Sequence, residues 1–258
     1  MSARPLALVT GGRRRLGAAI AAALGEAGYD LALHGSDGAP PDDALVARLE
    51  KAGAAWHGFA ADLADEAALQ VLVPAVEARF GRAPALLVNN AARFDYDSPA
   101  TATREALLAH YAVNCAAPLL LSRAVAATAG PEQAVCIVNI LDQRIAAPHG
   151  DQFSYTLSKL ALSEATTILA RDFSPHVRVC AVAPGLTLPT ADYDAARMAA
   201  AAARMPLGLL ANPADIADAV LYLARARAVT GQTLFVDGGA HLRHFPRDFL
   251  YLDAAPEA

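Results

Sequence analysis

The chain has 258 residues, 55% of them hydrophobic, and 21 Lys and Arg against 26 Asp and Glu give it a net charge of −5. This length suffices for one large core, and an acidic balance whose only basic run is Arg13, Arg14 and Arg15 excludes nucleic acid as an expected partner. Charges interrupt the alanine-rich stretches before the roughly 18 residues of a membrane span, no charged leader precedes a long apolar run, and Cys115, Cys136 and Cys180 form no CxxC, so we expect a cytoplasmic protein with buried thiols, no membrane contact, no disulfide framework and no zinc.

Taken in order, PLALVT at 5–10 reads as a strand ending in glycines, followed by helical apolar spacing from Leu16 to Leu24 that stops at Gly25 and Gly28. The strand DLALH at 30–34 gives way to the loop GSDGAPPDD and a helix from about Asp43 to Lys51. A strand at Trp56 to Ala60, a helix from about Asp65 to Phe80 and the strand ALLVNN at 85–90 repeat the alternation. A helical stretch is expected from about Thr103 to Thr128, a strand over AVCIVNI at 134–140, a helix running to about Phe173, and a strand over VRVCAVAP. After the PGLTLPT loop come a helix at about Asp194 to Arg204, a helix capped by Asn212 with Pro213 in its first position, and a last strand in QTLFVDGG. Strands that are apolar throughout and separated by helices predict one α/β domain: a Rossmann-like, doubly wound parallel sheet of about seven strands, with ligands beyond the strands' carboxyl ends.

Two constellations fall at such ends. Tyr155 and Lys159 stand four residues apart, on one helix face, where an ammonium favours ionisation of a neighbouring phenol and brings it toward the range useful for acid–base catalysis. TGGRRRLG, Thr10 to Gly17, joins the first strand to the first helix, and its amides with the helix N-terminus suit a pyrophosphate; three arginines there ask for an anion to offset them. By itself YxxxK occurs by chance on many helices, and the turn lacks GxGxxG spacing.

TGGRRRLG, ADL at 61–63, NNA at 89–91, Asn114, YTLSK and PGLT at 184–187 together resemble the short-chain dehydrogenase/reductase family over about residues 5–240. The resemblance implies NAD(P) binding, with Tyr155 as proton donor, Lys159 holding the nicotinamide ribose and lowering the Tyr155 pKa, and Asn114 positioning a water. Asp62, with Leu63, would meet the adenine, and Asn89 to Ala91 would line the cofactor bed. Gly11, Arg14, Arg15, Leu16, Gly17, Ser36, Pro184, Gly185 and Thr187 complete the implied cofactor site, and residues of about 186–205 form the implied substrate loop.

Two departures resemble the pteridine reductases within that family: Arg15 in place of a turn glycine, and Asp142 in place of the catalytic serine, thirteen residues before Tyr155. An aromatic residue after NNA, here Phe94, implies a flat heterocycle held against the nicotinamide, with Arg15, Phe94, Asp142 and Tyr155 as substrate-binding residues. A carboxylate cannot donate the hydrogen bond that serine offers a ketone. The alternatives are an ordinary carbonyl reductase in which Asp142 merely caps a turn, and a nucleotide-binding protein without catalysis.

Gly35 leaves no acid to grip a ribose 2′-hydroxyl, and Arg14 with Ser36 suits a 2′-phosphate, so NADPH is expected, with NADH possible because of Asp37. Asp95, Tyr96 and Asp97 stand near enough in sequence to reach a substrate, whereas His149 is expected to be a surface or loop histidine without chemistry. The aromatic tail 241–258 is expected at a subunit interface, over a neighbour's substrate loop, in a homotetramer.

Overall fold

A computed structural model describes residues 4–131, 133–189 and 193–252. Seven parallel strands, β1 (Leu6–Val9), β2 (Asp30–Gly35), β3 (Trp56–Ala60), β4 (Leu86–Asn89), β5 (Val135–Ile140), β6 (Val177–Pro184) and β7 (Thr233–Val236), form one sheet in the order β3-β2-β1-β4-β5-β6-β7. The order reverses between β1 and β4, which opens a crevice at their carboxyl ends.

Helices cover both faces because the strands are apolar on both. Ala7 and Val9 of β1 join the core beneath helices α1 (Arg15–Glu26), α2 (Asp43–Lys51) and α8 (Pro213–Arg225), while Leu6 and Leu8 face the core beneath α3 (Glu66–Phe80) and α5 (Ala117–Ala126). Helix ends follow local chemistry: Asp65 caps α3 and left-handed Gly81 closes it, and Asn212 and Asp215 make a reciprocal capping box at α8. The three cysteines are buried and free.

The helical stretch expected over 103–128 is divided. Helix α4 (Arg104–Tyr111) passes into a π turn at Ala112–Ala116 before α5 begins, and the Ala117 N–H reaches back to the Ala112 carbonyl. Hydrophobic spacing does not report such an inserted residue, which is a frequent mark of functional sites. Helix α6 (Phe153–Asp172) carries Tyr155 and Lys159. Helix α7 (Ala195–Arg204) follows the loop after β6, of which residues 190–192 lie outside the described chain. Among the described residues, no helix is long and apolar enough to cross a membrane, and no cluster of His, Cys, Asp and Glu is arranged for a metal.

Candidate active site

The turn after β1 is stitched from three sides. Thr10 Oγ1 accepts from the N–H groups of Asn90 and Ala91 at 2.9 and 3.0 Å, and Asn90 Nδ2 donates to the Thr10 and Gly11 carbonyls at 2.9 and 3.3 Å. Gly11 N–H donates to His34 Nδ1 at 3.2 Å, so His34 Nε2 carries the proton that it gives to the Ala61 carbonyl at 2.9 Å. Gly11 has φ +60°, and a Cβ built on Gly17 would lie 2.0 Å from the Gly11 carbonyl oxygen, so the turn folds against α1 only because both are glycine. Arg15 opens α1 with φ +53°, keeping the left-handed backbone of a glycine at the cost of strain.

The arginines divide their work. Arg13 is buried: Nη1 donates to the Asp37 and Ala39 carbonyls at 2.6 and 2.7 Å and Nε to the Leu33 carbonyl at 3.3 Å, which fastens the loop after β2. The expectation that all three cations await an anion is therefore corrected, since carbonyls already satisfy Arg13. Arg14 and Arg15 are exposed, and Arg14 lies 3.5 Å from the Asp37 carboxylate.

Of the residues expected at the site, Gly11, Arg14, Arg15, Leu16, Gly17, Ser36, Asp62, Leu63, Ala91, Asp142, Tyr155, Lys159, Pro184, Gly185 and Thr187 line one cleft of about 700 Å³. Its glycine cradle at a helix N-terminus, with Arg14, Arg15 and the acceptor Asp62 also lining it, fits a dinucleotide. Asn89 is not part of it. Its side chain points into the core, where Nδ2 donates to Asn139 Oδ1 at 2.8 Å and Ser122 Oγ at 3.3 Å; the neighbouring Asn90 lines the cleft instead. Asn114 is fully buried, with Oδ1 accepting from Arg93 N–H at 2.7 Å and Nδ2 donating to the Arg93 carbonyl and Ser158 Oγ, both at 2.9 Å. Its side chain thus ties the π turn to the Arg93 loop and α6.

At the cleft's inner end the Tyr155 hydroxyl donates to Asp142 Oδ2 at 3.0 Å, while Asp142 Oδ1 accepts from Arg144 N–H at 2.9 Å. Burial pushes the phenol well above its ordinary pKa, and the charge of Asp142 and its hydrogen bond push the same way against the weaker pull of Arg144. The sequence expectation was the reverse. Lys159 is itself buried and brought down to about 8, its Nζ donates to the Ile140 carbonyl at 2.6 Å, and it stands 5.7 Å from the Tyr155 ring centroid. Tyr155 is consequently held as a protonated acid.

A second cavity of about 310 Å³ shares Asp142, Gly185 and Thr187 with the first. Phe94 stands at its mouth, half exposed, with its ring edge-on to Tyr155 at 4.7 Å and 85°. Tyr96 lines it too, whereas Asp97 is buried and accepts from Ser154 N–H and Oγ, capping α6. Asp95 pairs with Arg93 at 2.5 Å. Arg144, which sequence reasoning missed, is buried in the wall with its guanidinium 5.4 Å from the Phe94 ring centroid and 5.9 Å from that of Tyr155. Its two-residue distance from Asp142 was the available signal. His149 lies in the loop before α6, as one alternative had it, with its side chain only 5% exposed and its pKa lowered by burial. Through residue 252 the tail lies on its own chain, where Asp248, Phe249, Leu250 and Tyr251 line the second cavity. Residues 253–258 lie outside the described chain.

A parallel sheet with a glycine turn beside its switch point, and a tyrosine–lysine pair on the helix facing it, defines a dinucleotide-dependent oxidoreductase. The chain belongs to the short-chain dehydrogenase/reductase family: a family model described as Enoyl-(Acyl carrier protein) reductase matches residues 12–241. It is 31% identical over 245 residues to the granaticin polyketide synthase putative ketoacyl reductase 2 of Streptomyces violaceoruber, covering 92% of this chain and 96% of that protein. It is likewise 31% identical over 242 residues to the D-threitol dehydrogenase of Mycolicibacterium smegmatis, covering 91% and 92%. Among solved structures it resembles FolM alternative dihydrofolate reductase 1 from Brucella canis, complexed with NADP, with a TM-score of 0.87, 34% identity and coverage of 94% and 96%.

Proposed function

We propose that this oxidoreductase uses NADPH to reduce a pterin-like heterocycle of the dihydropteridine or dihydrofolate kind. The observation that carries this reading is the Asp142 carboxylate bonded to Tyr155 OH at 3.0 Å. A carboxylate only accepts, so it suits a ring edge bearing N–H and amino donors and offers no hydrogen bond to a ketone oxygen. The edge-on Phe94 ring and the cation of Arg144 beside it supply a wall for a flat, electron-rich ring system. The likeness to FolM structures that hold NADP supports both the cofactor and the substrate class.

When bound, the reduced nicotinamide supplies a hydride to a ring carbon. Tyr155 then donates its hydroxyl proton to the adjoining nitrogen, so that C=N becomes CH–NH. Asp142 orients the phenol and keeps it protonated until that transfer, and Lys159 remains within the cleft where a ribose hydroxyl would lie. Arg14 and Ser36 would meet the 2′-phosphate, with Asp37, beside Arg14, limiting the preference over NADH.

A second reading, a general carbonyl reductase, is favoured by the ketoreductase and dehydrogenase relatives. Assaying dihydrobiopterin, dihydrofolate and a ketone panel with NADPH and then NADH separates the two. Loss of dihydropterin turnover in Asp142→Ser supports the first; ketone turnover gained by that variant, with no pterin turnover in either protein, refutes it.

A further inference from the structure

The C-terminal segment holds a buried carboxylate, Asp248, that bridges two parts of the site separated by the whole of α6 and β6. One oxygen accepts from Arg144 Nη2 in an ion pair; the other accepts from the Tyr193 hydroxyl and, at 2.9 Å, from Leu250 N–H. Tyr193 belongs to the loop after β6, at the foot of α7. Arg144 is at the same time held by Gln152 Oε1 at 2.6 Å and lies with Nε 3.7 Å from Asp142 Oδ1. The segment is anchored beside this bridge by a second carboxylate, Asp151, which accepts from Asp248 N–H at 2.8 Å and from Arg247 Nη2 at 3.0 Å.

A carboxylate leaves water only when partners replace its hydration, and here those partners come from two loops, Arg144 before α6 and Tyr193 after β6. Burial and that carboxylate raise the Tyr193 pKa, so its hydroxyl stays a donor. Arg144, bonded in this way, lies against the Phe94 and Tyr155 rings. The contacts lie on the side of the second cavity away from the glycine turn, and Asp248 is absent from the lining of the dinucleotide cleft.

We propose that Asp248 is a positioning residue for the reduction: the chain's own tail clasps Arg144 and the substrate loop together and completes the substrate cavity in cis. The inference requires Tyr155 chemistry of the family but not the pterin reading, because any substrate turned over in this cavity reads it. Dihydrobiopterin is the first probe, and 9,10-phenanthrenequinone takes its place if the pterin is not reduced.

Three variants test the clasp. Asp248→Ala removes both arms, Asp248→Asn keeps the shape and the acceptor for Tyr193 while removing the charge facing Arg144, and Tyr193→Phe cuts the loop arm alone. The expected result is an NADPH dissociation constant within about twofold of the parent in all three, with kcat/KM lowered about 10- to 100-fold by Asp248→Ala, as loss of positioning predicts, and less by Asp248→Asn. Adding Tyr193→Phe to Asp248→Ala should then cost nothing further. A kcat/KM within twofold of the parent in Asp248→Ala overturns the proposal. So does a loss of NADPH affinity in step with kcat/KM in the isosteric Asp248→Asn, which marks a merely structural role. Mixing Asp248→Ala chains with Tyr155→Phe chains decides the connection: no regained turnover is expected for a clasp in cis, and regained turnover would place the tail on a neighbouring subunit and overturn it.

Discussion

Replacing Gly17 by alanine tests the cofactor turn where the geometry leaves least room. The added Cβ would sit 2.0 Å from the Gly11 carbonyl oxygen and 2.7 Å from Asn90 Nδ2, both of which are fixed by the hydrogen bonds of the turn. A carbon and an oxygen need about 3 Å or more, so α1 and the turn must separate by roughly 1 Å. Overpacking of this kind costs about 1–3 kcal/mol, and the better helix propensity of alanine returns at most about 1 kcal/mol. A net loss of about 1–2 kcal/mol lowers Tm by roughly 2–8 °C in a domain of this size. Because the displaced groups are those proposed to cradle the pyrophosphate, NADPH affinity should fall by about tenfold or more as well. Gly81→Ala is the control: it sits at φ +68° with nothing within 4 Å of its Cβ, so it carries backbone strain of about 1 kcal/mol and lies away from the cleft. Thermal scans and fluorescence titration with NADPH check both. A Gly17→Ala protein with the parent's Tm and affinity, or a Gly81→Ala protein that loses as much affinity, would refute the assignment of this turn.

Arg15→Gly should act with opposite signs on two measurements, raising Tm by relieving about 1 kcal/mol of left-handed strain while weakening NADPH or substrate binding by loss of the guanidinium from the cleft. Asp142→Asn removes a charge that holds the Tyr155 pKa up; since the phenol must be protonated to act as an acid, the alkaline decline of kcat/KM should move to lower pH, and a decline that stays at the parent's pH, followed to the alkaline limit of stability, would count against the pairing. His34 is held neutral, its pKa lowered chiefly by burial, so its contribution to stability is complete above the unfolded value of about 6.5 and is lost as pH falls toward the folded one. His149 acts in the same direction, so the check is the difference between the parent and His34→Gln in Tm against pH, with the variant flatter.

How much of this was legible in the sequence depended on the range of the interaction. Strands such as β1, β4 and β5 could be read because each is a mostly apolar run between turn residues, and Asn212 with Pro213 announced α8 by purely local capping. Tyr155, Lys159 and Asp142 fell together for the same reason, being joined by one turn and one helix. The direction of the Tyr155 shift was not legible, because helical spacing relates it to Lys159 while its hydroxyl actually faces Asp142 in a dry site. Asn89 and Asn90 illustrate the alternation of a strand end: neighbouring identical residues face opposite ways, and only the register of β4 against β1 and β5 decides which one borders the cleft. Asp248 lies 104 residues from Arg144, and no local pattern could pair them.

Among the described residues, the only non-glycine residues with positive φ are Arg15 at +53° and Gln152 at +49°. Each stands at the start of a helix that faces the crevice, α1 and α6. A side chain in the left-handed region costs about 1 kcal/mol or more, and Arg15 and Gln152 gain nothing from the backbone there that glycine would not supply more cheaply. What glycine lacks is the side chain: Arg15 lines the dinucleotide cleft, and Gln152 Oε1 receives Arg144 Nη1 beside the Tyr155 hydroxyl. The strain therefore falls where a polar side chain leaves the backbone at a helix start, one beside the glycine turn and one that holds Arg144. The fold tolerates both because the surrounding hydrogen bonds over-determine each turn, His34 and Asn90 around the first and Asp97 around the second.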